Sequence, residues 1–143
     1  MKYNDYLKTI VECPFCSIVP EEILKKNKFA KVILAKAPYN KDHLLVIPNS
    51  HKTKISELNS NEKKAIFELV LWAQMQLEKY HNNISILYRE GNKEKIGKSV
   101  DHMHVNLIPN SQIGSVSINA KDRSILNEER YLKLTREAKE KFK

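Results

Sequence analysis

Residues 101–109 read Asp101-His102-Met103-His104-Val105-Asn106-Leu107-Ile108-Pro109. Polar and apolar residues alternate, which predicts a half-buried β-strand. Alternate strand side chains take opposite faces. His102, His104 and Asn106 therefore project together, while Met103, Val105 and Leu107 face the core. Same-face neighbours stand about 6–7 Å apart. That spacing suits several groups addressing one phosphate chain. It equally suits one imidazole on a metal while its neighbour does chemistry. The plainer reading is a solvated strand face carrying two histidines.

Upstream, Gly97-Lys98-Ser99 leads into this strand. A glycine and a hydroxyl ahead of an imidazole face offer backbone N–H and Oγ donors to phosphate. Ile84–Glu90 reads as another strand, with Gly91 and Gly97 bracketing a Lys-rich loop. Before it, a helix is predicted from about Asn61 to Tyr80, N-capped by Ser60 and without a capping box. Ile66, Leu69, Val70, Ala73, Leu77 and Tyr80 form one apolar stripe at helical spacing. Phe67, Leu71 and Met75 form a second, so two faces should be covered. The cover is either the C-terminal tail or a second copy of the chain, and the second is favoured.

His43-Leu44-Leu45-Val46-Ile47-Pro48 is a continuous apolar run, consistent with a central strand entered at His43 and left through Asn49-Ser50-His51. Ile23-Leu24 and Phe29–Lys36 read as a hairpin, and Pro38–Asp42 carries turn residues. Cys13-Pro14-Phe15-Cys16 is either a metal knuckle or a redox pair. The redox reading wants a thioredoxin-like helix next, and Val19-Pro20-Glu21-Glu22 follows instead. Two thiolates alone cannot close a zinc shell; His51 and His102 are candidates for the remaining positions. Beyond Pro109 the chain is polar to about Ile125, and a charged helix is predicted over about 127–143.

A chain of 143 residues makes one domain, here residues 1–143, and the composition is ordinary globular at 41% hydrophobic and 29% charged. No apolar run approaches twenty residues and no signal-peptide pattern opens the chain, so a cytoplasmic location with no membrane partner is expected. The net charge of +8 would suit nucleic acid. The lysines are scattered, however, and no aromatic–basic stripe accompanies them, so anionic small substrates are the preferred explanation.

Together, Cys13-x-x-Cys16, Pro38-Tyr39-Asn40-x-x-His43-Leu44-Leu45-Val46-Ile47-Pro48, His51, Gly97-x-Ser99 and His102-x-His104-x-Asn106 resemble the histidine-triad (HIT) superfamily over about residues 13–110. The segment Pro38–Pro48 is most similar to the diadenosine tetraphosphate phosphorylase-like branch. The resemblance implies an α+β HIT-like fold: an antiparallel sheet of about five strands with a long helix packed on it, usually as a homodimer. It implies that His104 attacks an α-phosphorus and forms a nucleotidyl-histidine intermediate, splitting one displacement into two. His43 matches the family's additional histidine and Ser99 its phosphate-contacting hydroxyl. Lys98, Asn40 and Asn106 complete the expected nucleotide- and phosphate-binding set. Members with the Cys-x-x-Cys pair hold a structural Zn²⁺, which here implies Cys13, Cys16, His51 and His102 as ligands.

The chain departs from the family at four positions. Asn106 replaces the third histidine, and an amide cannot pass a proton. Galactose-1-phosphate uridylyltransferase relatives carry Gln there and transfer to a phosphate acceptor. Lys98 stands where Gln is common. Asp42 replaces a usual Gly. Ala35 stands where relatives often carry the Asn or Asp that holds the ribose. The expected function is nucleotide hydrolysis or nucleotidyl transfer on a phosphoanhydride such as a dinucleoside polyphosphate. A zinc module that binds nucleotides with little catalysis, and aprataxin-like nucleic-acid end processing, are the alternatives.

Overall fold

The computed structural model describes residues 1–91, 100–112 and 123–143. Helix α1 (Tyr3–Thr9) opens the chain. Strands β1 (Ile23–Lys26), β2 (Ala30–Leu34) and β3 (Leu44–Pro48) follow. Then come helix α2 (Ser60–Glu78), strands β4 (Ile84–Tyr88) and β5 (Val105–Pro109), and helix α3 (Glu128–Lys141). The strands form one antiparallel sheet in the order β1-β2-β3-β5-β4, so the α+β architecture expected of the sequence is the one observed.

The two faces of this sheet are covered differently, and period two sorts the side chains between them. Ala30, Val32, Leu34, Leu44, Val46, Met103 and Leu107 pack beneath α2 and α3. Ile33, Ala35, Leu45 and Ile47 face the other way, against Phe15 of the Cys-x-x-Cys knuckle and Val100. Every residue of β2 and β3 is consequently buried. The register sets Asn106 opposite Leu45 on one side and Leu87 on the other, which puts it mid-sheet on the knuckle face.

Strand β5 begins at Val105, so His102 and His104 lie in the segment leading into it. Their alternation holds, but the polar face is not solvated: His102, His104 and Asn106 are all buried. Phe15 of the knuckle packs against both histidine rings, and Ala35, just past β2, lines the same cleft, which a local pattern cannot reveal.

Helix α2 starts one residue earlier than expected. Asn59, not Ser60, is its N-cap: Oδ1 accepts from the Glu62 N–H at 2.9 Å, and the Asn59 N–H donates to Glu62 Oε1 at 3.0 Å. The capping box expected to be absent is therefore present. Of the first stripe, Ile66, Leu69, Ala73 and Leu77 are buried, whereas Tyr80 lies beyond the helix and is exposed. The second stripe is open: Phe67 is 63% exposed, Leu71 47% and Met75 62%. Helix α3 does not cover it. That helix packs instead on the β1–β2 side, where Tyr131 Oη donates to the Leu34 carbonyl at 2.7 Å. No helix among the described residues is long and apolar enough to cross a membrane.

Candidate active site and metal centre

His104 sits in a cleft on the knuckle face, among His43, Asn106, Phe15, Ala35, Lys36, Arg89 and Arg123. Its Nδ1 lies 2.9 Å from the carbonyl oxygen of His102. A carbonyl only accepts, so Nδ1 carries the proton and the lone pair belongs to Nε2. The Phe15 ring meets the imidazole edge-on with centroids 5.0 Å apart. Backbone and aromatic edge together hold this ring in one orientation and one tautomer.

His43 is fully buried beside it. The Tyr39 N–H donates to His43 Nδ1 at 3.2 Å, so Nε2 carries the proton and donates it to Asn106 Oδ1 at 2.9 Å. Both ring nitrogens are satisfied by the neutral form. Burial pushes the His43 pKa down to about 3, against the Asn106 hydrogen bond, with the Arg123, His104 and Arg89 charges adding to the depression. Asn106 Nδ2 donates one proton to the Leu87 carbonyl at 3.2 Å. The amide is thus oriented by two neighbouring elements.

The turn before His43 explains the Asp42 departure. Asp42 has φ 65°, the left-handed region where Gly is the unstrained choice and Asp a tolerated one. Its Oδ2 accepts from His81 Nε2 and from Lys141 Nζ, each at 2.7 Å. Burial opposes the charge, but the Lys141 and His81 hydrogen bonds outweigh it and hold the carboxyl below its ordinary pKa. Asn40 also acts on this turn. Its Nδ2 reaches the Pro109 and Asn110 carbonyls at 3.0 and 3.1 Å and Ser111 Oγ at 2.6 Å. It lines a separate pocket with Pro38, Asp42 and Lys141, not the His104 cleft.

On the outer side of the same segment, Cys13, Cys16, His51 and His102 converge, with one ligand atom of each within 4.8 Å of the others. Cys13 Sγ lies 3.6 Å from His102 Nδ1, and Cys16 Sγ lies 3.4 Å from the Nδ1 atoms of His51 and His102. Tetrahedral zinc with ordinary Zn–S and Zn–N bonds requires S···N separations of about 3.6 Å. His102 Nε2 donates to the Pro48 carbonyl at 2.8 Å, which leaves Nδ1 unprotonated and facing the thiols. Burial and the neighbouring Cys13 raise the Cys16 pKa. Both cysteines are free thiols. The donor set and its spacing fit zinc.

Of the residues expected from sequence, the structure brings His43, His104 and Asn106 into one cleft and the four metal candidates into one cluster. Lys98 and Ser99 lie outside the described residues. Sequence reading missed Arg89 and Arg123. Arg89 stands just past a strand end, two residues before Gly91, which is a weak signal; the polar sequence around Arg123 carries none.

The family model described as the HIT domain matches residues 18–113. An adenosine 5'-monophosphoramidase of Schizosaccharomyces pombe is 30% identical over 103 residues, 69% of this chain and 74% of that protein. Among solved structures, a hypothetical histidine triad nucleotide-binding protein from Sulfolobus tokodaii superposes with TM-score 0.70 at 22% identity, covering 91% of both chains. A zinc-bound histidine triad family protein from Mycobacterium smegmatis gives 0.65 at 19% identity, over 90% of this chain and 94% of that one. Diadenosine triphosphate hydrolase from Plasmodium falciparum gives 0.66 at 20% identity, over 99% of both. At these identities the superpositions establish a shared fold.

Proposed function

The chain belongs to the HIT family, and from that premise we propose that it is a nucleotide hydrolase or nucleotidyltransferase acting through His104. The observation that carries this reading is the Nδ1–carbonyl contact of His104, which assigns the lone pair to Nε2. Nε2 attacks the α-phosphorus of a nucleotide. The N–P bond forms as the bridging P–O bond breaks, and its electron pair leaves on the departing phosphate. The imidazolium that results is stabilised by the His102 carbonyl. Water or a phosphate then attacks phosphorus and frees His104. The nucleophile's rigid mounting contributes because the attacking atom is already in line.

In this scheme neutral His43 orients the Asn106 amide, whose second N–H is a neutral donor for a phosphate oxygen. Lys98 and Ser99 belong to the phosphate-binding set. Asn40 serves the site by fixing the turn that carries His43. Zinc, when bound by Cys13, Cys16, His51 and His102, supplies structural cross-linking. The names of the S. pombe and P. falciparum proteins support nucleotide cleavage as the reaction class, and that of the M. smegmatis protein supports zinc. The open stripe Phe67, Leu71 and Met75 supports a homodimer.

The test is a panel of dinucleoside polyphosphates, nucleoside diphosphate derivatives and a phosphoramidate. Each is incubated with the protein with and without inorganic phosphate and read by mass spectrometry. A nucleotidyl adduct on His104 and acceptor-dependent products are expected. Tight nucleotide binding with no adduct and no product would instead favour the binding-module reading, which the Asn106 replacement motivates.

A further inference from the structure

Among the described residues, two that are not glycine have positive φ: Asp42 at 65° and Asn110 at 56°. One imidazole bridges them. His81 Nε2 donates to Asp42 Oδ2 at 2.7 Å, and His81 Nδ1 accepts from Asn110 Nδ2 at 3.2 Å. A single neutral tautomer serves both bonds. The two residues stand at the same end of the sheet. Asp42 directly precedes His43 and the entrance of β3, and Asn110 directly follows the exit of β5, which carries Asn106. These strands are antiparallel neighbours, with Leu44 opposite Leu107. Backbone bonds hold the bridge from both sides: the His81 N–H donates to the Leu77 carbonyl of α2 at 2.9 Å, and the Asn110 N–H to the Asn83 carbonyl at 2.8 Å. Lys141, in the last turn of α3, donates to the same Asp42 oxygen at 2.7 Å and lies 4.3 Å from the Tyr80 ring centroid. The Asp42 and His81 side chains are only 9% and 12% exposed, so their charge-assisted hydrogen bonds are little weakened by water.

The bond between His43 Nε2 and Asn106 Oδ1 spans the same two strands, on the cleft side. Neither Asp42, His81 nor Lys141 lines the His104 cleft. Glycine at position 42 would adopt this φ without strain. Aspartate is less favourable there, and what it adds is a carboxylate acceptor. We propose that Asp42 and His81 are positioning residues: they lock the turn before His43 against the end of β5, and so fix the His43–Asn106 hydrogen bond from outside the cleft. Lys141 makes the C-terminal helix part of the lock. The lock stands on this geometry; its bearing on turnover rests on the reading of His104 given above.

Hydrogen exchange of the His43 Nε2–H tests the lock without turnover. In proton–nitrogen correlation spectra of the full chain this buried, bonded ring N–H should exchange slowly. The variants are D42G, H81F, H81Q and K141M, with N127A as the control. Asn127 caps α3 through the Arg130 N–H, at the far end of that helix from Lys141, so N127A lowers stability without touching the lock. In D42G and H81F the ring N–H should exchange about tenfold or more faster relative to the Val46 and Ile47 amides of the same protein, the effect of losing a charged hydrogen bond. A merely structural loss would speed ring and amides alike. K141M should raise the ratio less, because His81 still holds Asp42. H81Q should raise it less than H81F, because an amide keeps a donor for Asp42. N127A should change it less than about twofold. Thermal melts identify any variant that has not folded, and D42N keeps the test open if D42G or H81F has not. A wild-type ratio in D42G and H81F, or a wild-type ring N–H too fast to observe, overturns the proposal.

Kinetics on a dinucleoside tetraphosphate reads the link to His104. The lock does not touch substrate, so kcat should fall by about ten- to a hundredfold in D42G and H81F while KM changes less than about twofold. Across the series kcat should track the exchange ratio, and N127A should keep the wild-type kcat. A wild-type kcat in both D42G and H81F, with the ring N–H loosened, overturns positioning as a role in the reaction. If the exchange ratio rises while the wild-type protein turns over no nucleotide, the catalytic reading of His104 fails and the lock stands.

Discussion

His43 Nε2 lies 2.9 Å from Asn106 Oδ1, while the opposite ring nitrogen accepts the Tyr39 N–H. A protonated His43 would turn that acceptor into a donor facing another donor. The folded protein therefore holds this imidazole neutral, with its pKa lowered from 6.5 to about 3. In the unfolded chain the ring titrates normally. Between those values the unfolded state binds the extra proton, so stability falls as pH drops from about 6.5 towards 3. The slope from this one group is at most about 1.4 kcal/mol per pH unit. Urea unfolding of wild type and His43→Gln at pH 7 and pH 4.5 measures it. Wild type should lose stability over that interval, and the variant should lose less. Identical losses would show that His43 titrates alike in both states.

One residue joins the candidate metal cluster to the proposed nucleophile. His102 faces the thiols with Nδ1, donates from Nε2 to the Pro48 carbonyl, and accepts the His104 proton on its own carbonyl. Phe15, between the two cysteines, packs its ring against His104. Protein purified without chelator is expected to carry about one zinc per chain. Cys16→Ser should lose the metal, melt several degrees lower, and slow turnover through a misoriented His104. Metal analysis, thermal melting and kinetics on the same preparation check the three together. A zinc-free variant with wild-type kcat would separate the two sites.

Much of this is legible in the sequence, and the reasons are local. Period two in residues 102–107 sorted Met103 and Leu107 to the core and the polar trio to the other face. The apolar run Leu44–Pro48 marked a strand buried on both sides. What escaped depends on contacts distant in sequence. The covering of the histidine face comes from Phe15, far away in the sequence. Arg123 is recruited by Tyr3 and Tyr39. At the start of α2 the sequence points to Ser60 as the cap, whereas Asn59, one residue before it, makes the capping hydrogen bonds. The meaning of Asp42 required its φ of 65°.

The stripe Phe67, Leu71 and Met75 lies along α2 with no described element over it, and Ile86 on edge strand β4 is also 52% exposed. Burying these side chains against a second copy would contribute on the order of 1.5 kcal/mol or more for each one fully covered. A two-fold homodimer is expected by light scattering at micromolar concentration, and Leu71→Glu should shift it to monomer without lowering the helical circular dichroism signal. A wild-type monomer at that concentration would leave the stripe unexplained.

The choice of substrate turns on Asn106. In the proposed reaction His104 displaces a leaving group, and that group departs with a negative charge unless a proton arrives in the transition state. A phosphate or polyphosphate leaves as a stable anion near neutral pH, whereas an amine needs a general acid. His43 cannot supply that proton, since it is held neutral and its one N–H is engaged by Asn106. Asn106 offers only an amide N–H, which does not transfer. Phosphoanhydrides should therefore be cleaved faster than phosphoramidates of the same nucleoside. His104→Ala should abolish turnover. Asn106→Ala should slow it by about ten- to a thousandfold, the effect of one transition-state donor plus a His43 left without its acceptor. Asn106→His should raise phosphoramidate cleavage relative to anhydride cleavage, because a second imidazole can carry the missing proton. Steady-state kinetics on matched anhydride and amidate substrates decide it. Faster cleavage of the amidate by wild type, or full activity in His104→Ala, would sink this account of the site.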